Sequence, residues 1–384
     1  MSTQLSLHEK AAERARLEQA WQQWEDDVAE LRMLVRTTAD RVAYGRPTNH
    51  LSLVLVEELE AALDPYAGAL VVVSHDRRFA SRWRGTVIDF PTTPATESRS
   101  STWRRAVMSV REIAVEGAPY GVVAAGGEVW TTLVHTGRVA TVSGRVFDLE
   151  APESRPSVIV DGPDAAVWFT RNGDDRVGRI GYDGVASAVQ IAGAPYGLCV
   201  GPDGALWCTL MSNDAIGRIT TDGEVTTYPI GTTGAFPAMI TTYAGDLWFT
   251  LNQANAIGRM TVAGDVTTYP LPTDATGPVG ISAGPDGVWF TELLADRVGR
   301  IDVDGTIEEF ALPGGSKPHA VAATPDGCWI TLWAAAELVQ VDAEGNITQR
   351  FGFGDGAEPH GLSADGTIWV ALEKGSVAHI QPHG

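Results

Sequence analysis

The chain has 384 residues, and at roughly 100–200 residues per domain that is too long for one ordinary core. Its composition divides at residue 108: of 42 glycines only Gly45, Gly68 and Gly85 come earlier, and residues 1–107 carry 14 Lys+Arg and 15 Asp+Glu (net −1) against 14 and 33 (net −19) beyond. The acidic larger part argues against nucleic acid or anionic membranes as partners, because phosphate binding needs a clustered basic surface.

The first 46 residues read as a long solvated helix, with alternating charges at helix spacing in Glu9-Lys-Ala-Ala-Glu-Arg-Ala-Arg-Leu-Glu18. Pro47-Thr-Asn-His-Leu51, a helical stretch from Val54 to Leu63 and Ala69-Leu-Val-Val-Val-Ser-His-Asp-Arg77 follow. This stretch resembles ATP-binding cassette proteins of the ABC-F type: residues 1–46 their helical linker, 47–90 the tail of a second cassette, with His75 matching the switch histidine. The chain has no G-x-x-x-x-G-K-[ST] phosphate loop, and Gly45-Arg46 stands where Asp-Glu is expected before Pro47-Thr48. ATPase chemistry has no support without cradle, metal-binding Asp and catalytic Glu, so the expectation is a fused remnant. Residues 91–107, rich in Ser, Thr and Arg, read as a disordered joint, and Met108 as an alternative translation start. The N-terminus has no apolar signal core, and the longest apolar runs, Leu53 to Val56 and Ala69 to Val73, are far short of a membrane span. Cys199, Cys208 and Cys328 form no C-x-x-C pair, so neither a disulfide framework nor a Cys-based zinc site is indicated. A cytoplasmic, monomeric protein is expected.

Beyond residue 110 a tryptophan recurs at 130, 168, 207, 248, 289, 329 and 369, each preceded by a proline at 119, 156, 195, 237, 278, 318 and 359. The period is about forty and the count is seven. Each unit reads as four short strands, for example a Gly201-Pro-Asp-Gly204 turn followed by Trp, Ile-Gly-Arg-Ile and the Thr-rich Glu224-Val-Thr-Thr-Tyr228. The pattern predicts an all-β fold, a seven-bladed β-propeller, preceded by the partial, mainly helical cassette-like segment. The last unit stops after three strands, so Val110-Arg-Glu-Ile-Ala-Val115 is expected to supply its fourth and close the ring. The tryptophans and the Gly-Arg dipeptides recur too often to mark one site.

Function is sought where the units differ. The residue after each proline should line one mouth of the ring: Tyr120, Ser157, Tyr196, Ala238, Val279, His319 and His360. In the last unit, a two-residue turn at Asp365-Gly366 pairs Ala364 with Thr367 and so sets Glu358 opposite Glu373. Facing carboxylates are unfavourable in a sheet unless a cation lies between them or one is protonated. Oxygen ligands favour a hard cation, Mg²⁺. His360, two residues from Glu358 on the same strand, is placed to accept a proton near neutral pH. Glu292, where three other units have leucine, is read as a pocket-lining candidate without a catalytic role.

Ala118-Pro-Tyr-Gly121, Gly277-Pro-Val-Gly280, Lys317-Pro-His-Ala320 and Glu358-Pro-His-Gly361, set among Trp-Phe-Thr and Ile-Gly-Arg repeats, resemble the virginiamycin B lyase (streptogramin B lyase) family over residues 108–384. The resemblance implies Mg²⁺-dependent linearisation of cyclic streptogramin B depsipeptides by elimination, and hence antibiotic resistance. It implies Glu358 and Glu373 as metal ligands, His360 as general base, and His319 and Tyr120 as substrate contacts. Two other readings remain open: a binding-only propeller scaffold, and a metal-dependent lactonase hydrolysing another cyclic ester.

Overall fold

The computed structural model describes residues 108–382; the helical segment 1–46, the cassette-like 47–90 and the joint 91–107 lie outside them. The described residues form seven four-stranded antiparallel sheets. In six of them four successive strands lie side by side in chain order, as in blade one: Pro119–Ala125, Glu128–Leu133, Arg138–Thr141 and Val146–Asp148. The seventh has Pro359–Asp365, Thr367–Leu372 and Ser376–Pro382 and takes its outer strand from Met108–Ala114, with Met108 opposite Pro382 and Ala114 opposite Ser376. The closing strand expected from the sequence is therefore in place. The first strands touch one another in turn around the ring, the seventh meeting the first.

Burial follows strand position. The second strand is the core of each blade: Leu206–Leu210 is buried throughout, whereas the outer Val225–Pro229 is mostly exposed and carries the Thr-rich sequence. On the third strand, Arg179, Arg218, Arg259 and Arg300 lie over Trp168, Trp207, Trp248 and Trp289 at 5.3–5.9 Å from the ring centroids. Asp164, Asp203 and Asp246 hold the first three of these guanidinium groups at 2.6–2.7 Å. The glycine before the arginine is a packing requirement, since a Cβ at Gly178, Gly258 or Gly299 would sit 2.1–2.3 Å from the Phe169, Phe249 or Phe290 ring. The repeated Trp and Gly-Arg residues are thus blade architecture.

In six of the seven blades one threonine joins neighbours. In all seven blades the first hairpin shifts register just after its proline, a bulge that takes one residue out of the ladder. In blades one to six the threonine two residues after the blade tryptophan accepts the freed N–H. Thr132, for instance, takes the Gly121 N–H at 2.8 Å and Thr250 the Met239 N–H at 3.0 Å. The same hydroxyl donates to the next blade, to the carbonyl of the residue after its proline: Thr132 to Ser157, Thr170 to Tyr196, Thr209 to Ala238, Thr250 to Val279, Thr291 to His319 and Thr331 to His360, at 2.5–3.0 Å. In blade seven the position is Ala371.

Thr250→Val keeps the shape of this latch but removes both hydrogen bonds, leaving a buried N–H and a buried carbonyl unpaired. A loss of roughly 2–4 kcal/mol is expected, measured by chemical denaturation, against less than about 0.5 kcal/mol for Thr226→Val on the exposed outer strand.

Candidate active site

The threonine latch sets the carbonyls of Ser157, Tyr196, Ala238, Val279, His319 and His360 in one ring, so their side chains start from equivalent places at one mouth. A second repeated bond fixes what surrounds them. The amide four residues after the blade tryptophan donates to the carbonyl of the residue before the proline: Met211 to Ala194, Asn252 to Phe236, Leu293 to Gly277, Trp333 to Lys317 and Glu373 to Glu358, at 3.0–3.3 Å. The turns between second and third strands therefore lie at the same mouth as the starts of the first strands.

Glu358 and Glu373 meet through this bond, though not by the pairing expected from the sequence. The ladder pairs Asp365 with Thr367 and Ala364 with Ile368, not Ala364 with Thr367; the bulge then shifts the register so that Pro359 faces Leu372. The turn is one residue tighter than assumed and the bulge restores the difference. Glu358 also departs from extended backbone, with φ 45°, and so do the residues before the prolines of blades two to six, with φ 49–58°. This left-handed conformation belongs to the entry into each blade rather than to the site.

Glu358, His360 and Glu373 have potential ligand atoms within 4.8 Å of one another. His360 Nε2 is 2.7 Å from Glu373 Oε2, and His135 Nε2 is 2.5 Å from the other oxygen of the same carboxylate. His360 is 8% exposed; its imidazole is pushed toward the neutral form by burial, with Glu373 and Glu358 pulling the other way. The Tyr120 ring stacks on His360, with centroids 4.4 Å apart and planes at 28°, and His319 meets the His360 ring edge-on at 4.8 Å. Burial pushes His319 down to about 3, so it is neutral at ordinary pH. The Tyr120 hydroxyl is 2.6 Å from that of Tyr196, and burial raises both phenols, keeping them protonated. Tyr120, Tyr196 and His319 also line an axial cavity with the apolar Val122, Ile159, Met239 and Ile281.

The site thus brings Tyr120, His319, Glu358, His360 and Glu373 together as the sequence places them. Two carboxylates with one neutral imidazole, the carboxylates half-buried and exposed, form a donor set suited to a hard cation that keeps some of its water. Sequence reasoning missed His135, because it took the mouth only from the first strands and not from the turns between second and third. Position in those turns was the available signal, since Glu373 itself lies in one.

A seven-bladed propeller with an imidazole and two carboxylates at its mouth defines the class. A model of the Virginiamycin B lyase family matches residues 108–380, and the chain belongs to that family, whose members are lyases and in general metal-dependent. The virginiamycin B lyase of Staphylococcus aureus is 34% identical with a TM-score of 0.69, over 72% of this chain and 100% of that one. A catalytically inactive His-to-Ala variant of that enzyme, with quinupristin, gives the same values. A further streptogramin B lyase structure is 32% identical with a TM-score of 0.67, over 72% and 98%. Among sequences, the virginiamycin B lyase of Nocardia farcinica is 42% identical over 93 residues, 22% of this chain and 31% of that protein. The tylosin resistance ATP-binding protein TlrC of Streptomyces fradiae is 52% identical over 60 residues, 16% of this chain and 11% of that protein. The chain therefore spans under a third of these two curated relatives. Among the described residues no helix is long and apolar enough to cross a membrane.

Glu292 takes no part in this cluster. It is wholly buried, its two carboxylate oxygens have no hydrogen-bond partner among the described residues, and it faces Pro278 and Arg297 across the blade. Burial first, then Glu309, pushes its carboxyl up to about 8, with Arg297 opposing. An acid raised in the folded state binds more protons folded than unfolded, so stability falls as pH rises from about 4.5 to 8. Glu292→Gln removes the titration: relative to the parent its melting temperature should rise by on the order of 5 °C at pH 8.5, and the gap should close toward pH 5. A gap independent of pH would assign the change to packing alone.

Proposed function

We propose that residues 108–384 are a lyase that linearises cyclic streptogramin B depsipeptides by elimination at the ring-closing ester, and so confers resistance to them. The observation that carries this is the convergence of Glu358, His360 and Glu373 beside Tyr120 and His319. The lyases to which the chain is similar supply the substrate class.

Tyr120 and His319 hold the macrocycle over the mouth, with the ester toward the carboxylates. His360, kept neutral by burial, removes the α-proton of the residue whose side-chain oxygen forms the ester. The electrons of that C–H bond become the Cα–Cβ double bond, the Cβ–O bond breaks, and the ester leaves as a carboxylate. Glu373, 2.7 Å from the ring, then faces the imidazolium and limits the cost of its charge. Glu358 and Glu373 would hold Mg²⁺, which when bound polarises the ester and favours carboxylate departure. The neutral phenols of Tyr120 and Tyr196 and the neutral His319 place no competing charge beside the reacting ester. Residues 1–46 and 47–90 are a fused, inactive cassette remnant joined through 91–107, and the protein works as a cytoplasmic monomer on a small cyclic substrate.

The test is incubation with quinupristin and Mg²⁺, read by mass spectrometry. The expected product is linear with the mass of the substrate; a product heavier by one water would replace elimination with ester hydrolysis, and tight binding without turnover would replace the enzyme with a scaffold. His360→Ala should lower the rate by about 10²-fold or more, and a chelator should abolish it with recovery on adding Mg²⁺.

A further inference from the structure

The position five residues after the blade tryptophan is a histidine in blade one alone. This residue, His135, places Nε2 2.5 Å from Glu373 Oε1, across the seam where Ala371 replaces the threonine latch. A carboxylate oxygen only accepts, so the imidazole donates. His360 meets the other oxygen, Oε2, at 2.7 Å, and Glu373 is therefore held at both oxygens by imidazoles from opposite sides of the seam. Lys374, next to it in the chain, is engaged elsewhere: its Nζ bonds Glu112 at 2.9 Å and the Phe353 carbonyl at 2.7 Å. The turn beneath His135 is itself fixed. Val134 N donates to Ala118 O at 3.3 Å, Thr136 N to Leu133 O at 3.1 Å and Leu149 N to Gly137 O at 3.1 Å. A Cβ at Gly137 would sit 2.2 Å from the Ala151 carbonyl oxygen, so this turn is pressed against the chain leading into blade two. The backbone under His135 is thus set before any ligand arrives, although its side chain is 66% exposed.

We propose that His135 is a positioning residue for Glu373: its Nε2–H holds Oε1, so that the carboxylate keeps Oε2 among the ligand atoms of Glu358 and His360. The inference rests on the lyase reading and deepens it by naming the group that orients one of the two candidate metal carboxylates. Carboxylates brought within reach of one cation repel each other when it is away, and a glutamate side chain has the rotamer freedom to swing clear. A donor on the far oxygen opposes that swing and lowers the ordering cost of binding. Partners of this kind, bonded to a ligand rather than to the metal, change metal affinity by about 10–100-fold when removed. The alternative is an imidazole that competes with the cation for the carboxylate. Position favours the holding role, because the mutually close ligand atoms belong to Glu358, His360 and Glu373 and not to His135.

Calorimetric titration of Mg²⁺ alone into the full chain, His135→Ala and His135→Gln tests this without turnover, with melting temperatures of the metal-free proteins measured to confirm folding. The expected result is a Kd for Mg²⁺ raised about tenfold in His135→Ala, and most of the affinity recovered in His135→Gln, whose amide keeps a donor at similar reach. In quinupristin opening, the Mg²⁺ concentration giving half the maximal rate should rise by about the same factor, while the quinupristin KM at saturating Mg²⁺ stays within about twofold. Unchanged Mg²⁺ affinity in His135→Ala would overturn the proposal and reduce the contact to an idle surface pair. Tighter Mg²⁺ binding would overturn it by showing competition, and a raised quinupristin KM at unaltered Mg²⁺ affinity would make His135 a substrate contact instead. A parent chain that binds no Mg²⁺ would remove the metal site and this inference together. A parent that binds Mg²⁺ but leaves quinupristin intact would remove the lyase reading alone, and the calorimetric comparison would still decide the role of His135.

Discussion

The structure depends on a single hydroxyl repeated six times. A propeller blade must break its own ladder near the axis, because strands that fan outward cannot keep full register where they crowd together, and the bulge after each proline is that break. It leaves one N–H without a strand partner. The threonine two residues beyond the blade tryptophan satisfies it and spends its own hydrogen on the next blade's carbonyl. One side chain thus repairs a local defect and sets the spacing between blades. Close approach of these carbonyls also explains the glycines two after the proline, where a Cβ at Gly121, Gly197 or Gly280 would lie 2.3–2.4 Å from the next blade's carbonyl oxygen.

Because the latch holds carbonyls, it fixes the backbone of the mouth while leaving the side chains free to vary. His319 hangs from Thr291 and His360 from Thr331, each by the same bond that holds Ala238 and Val279 in blades with no polar group there. The scaffold positions chemistry it does not itself contain. That separation lets six nearly identical blades coexist with a site built from a few exceptions.

The period, the blade count and the closing strand were legible because they are properties of spacing, and spacing survives in one dimension. Tyr120, His319, His360, Glu358 and Glu373 were legible as departures from a repeat. What was not legible lies across blades or inside them. The tighter turn at Asp365 and the bulge after Pro359 cancel, so Glu358 reached Glu373 although the residue pairing behind that expectation was off by one. Glu292 looked like a mouth residue because it replaces a leucine, but that slot faces the packed interior, and the carboxyl is buried. His135 went unseen because the end of the ring occupied by a turn depends on strand direction, which spacing alone does not display.

The seam between blades seven and one gathers these exceptions. Glu358, His360 and Glu373 come from one side of it and Tyr120 and His135 from the other, and Ala371 leaves it without the threonine latch. Across it run the Tyr120–His360 stack and the contact of His135 with Glu373, while the closing strand, the outer strand of blade seven, ties down that blade's own last turn: Glu112 accepts from Lys374 Nζ and Ser376 Oγ at 2.9 Å each, and the Val115 amide donates to Gly375 O at 3.0 Å. Lys374 and Gly375 follow Glu373 directly, so the contacts that close the ring also fix the turn that carries a candidate metal ligand. Ring closure and the placement of Glu373 thus rest on the same stretch of chain. A latch missing from any other seam would loosen a blade, whereas at this one it coincides with the place where a side chain from blade one must stack against a histidine from blade seven.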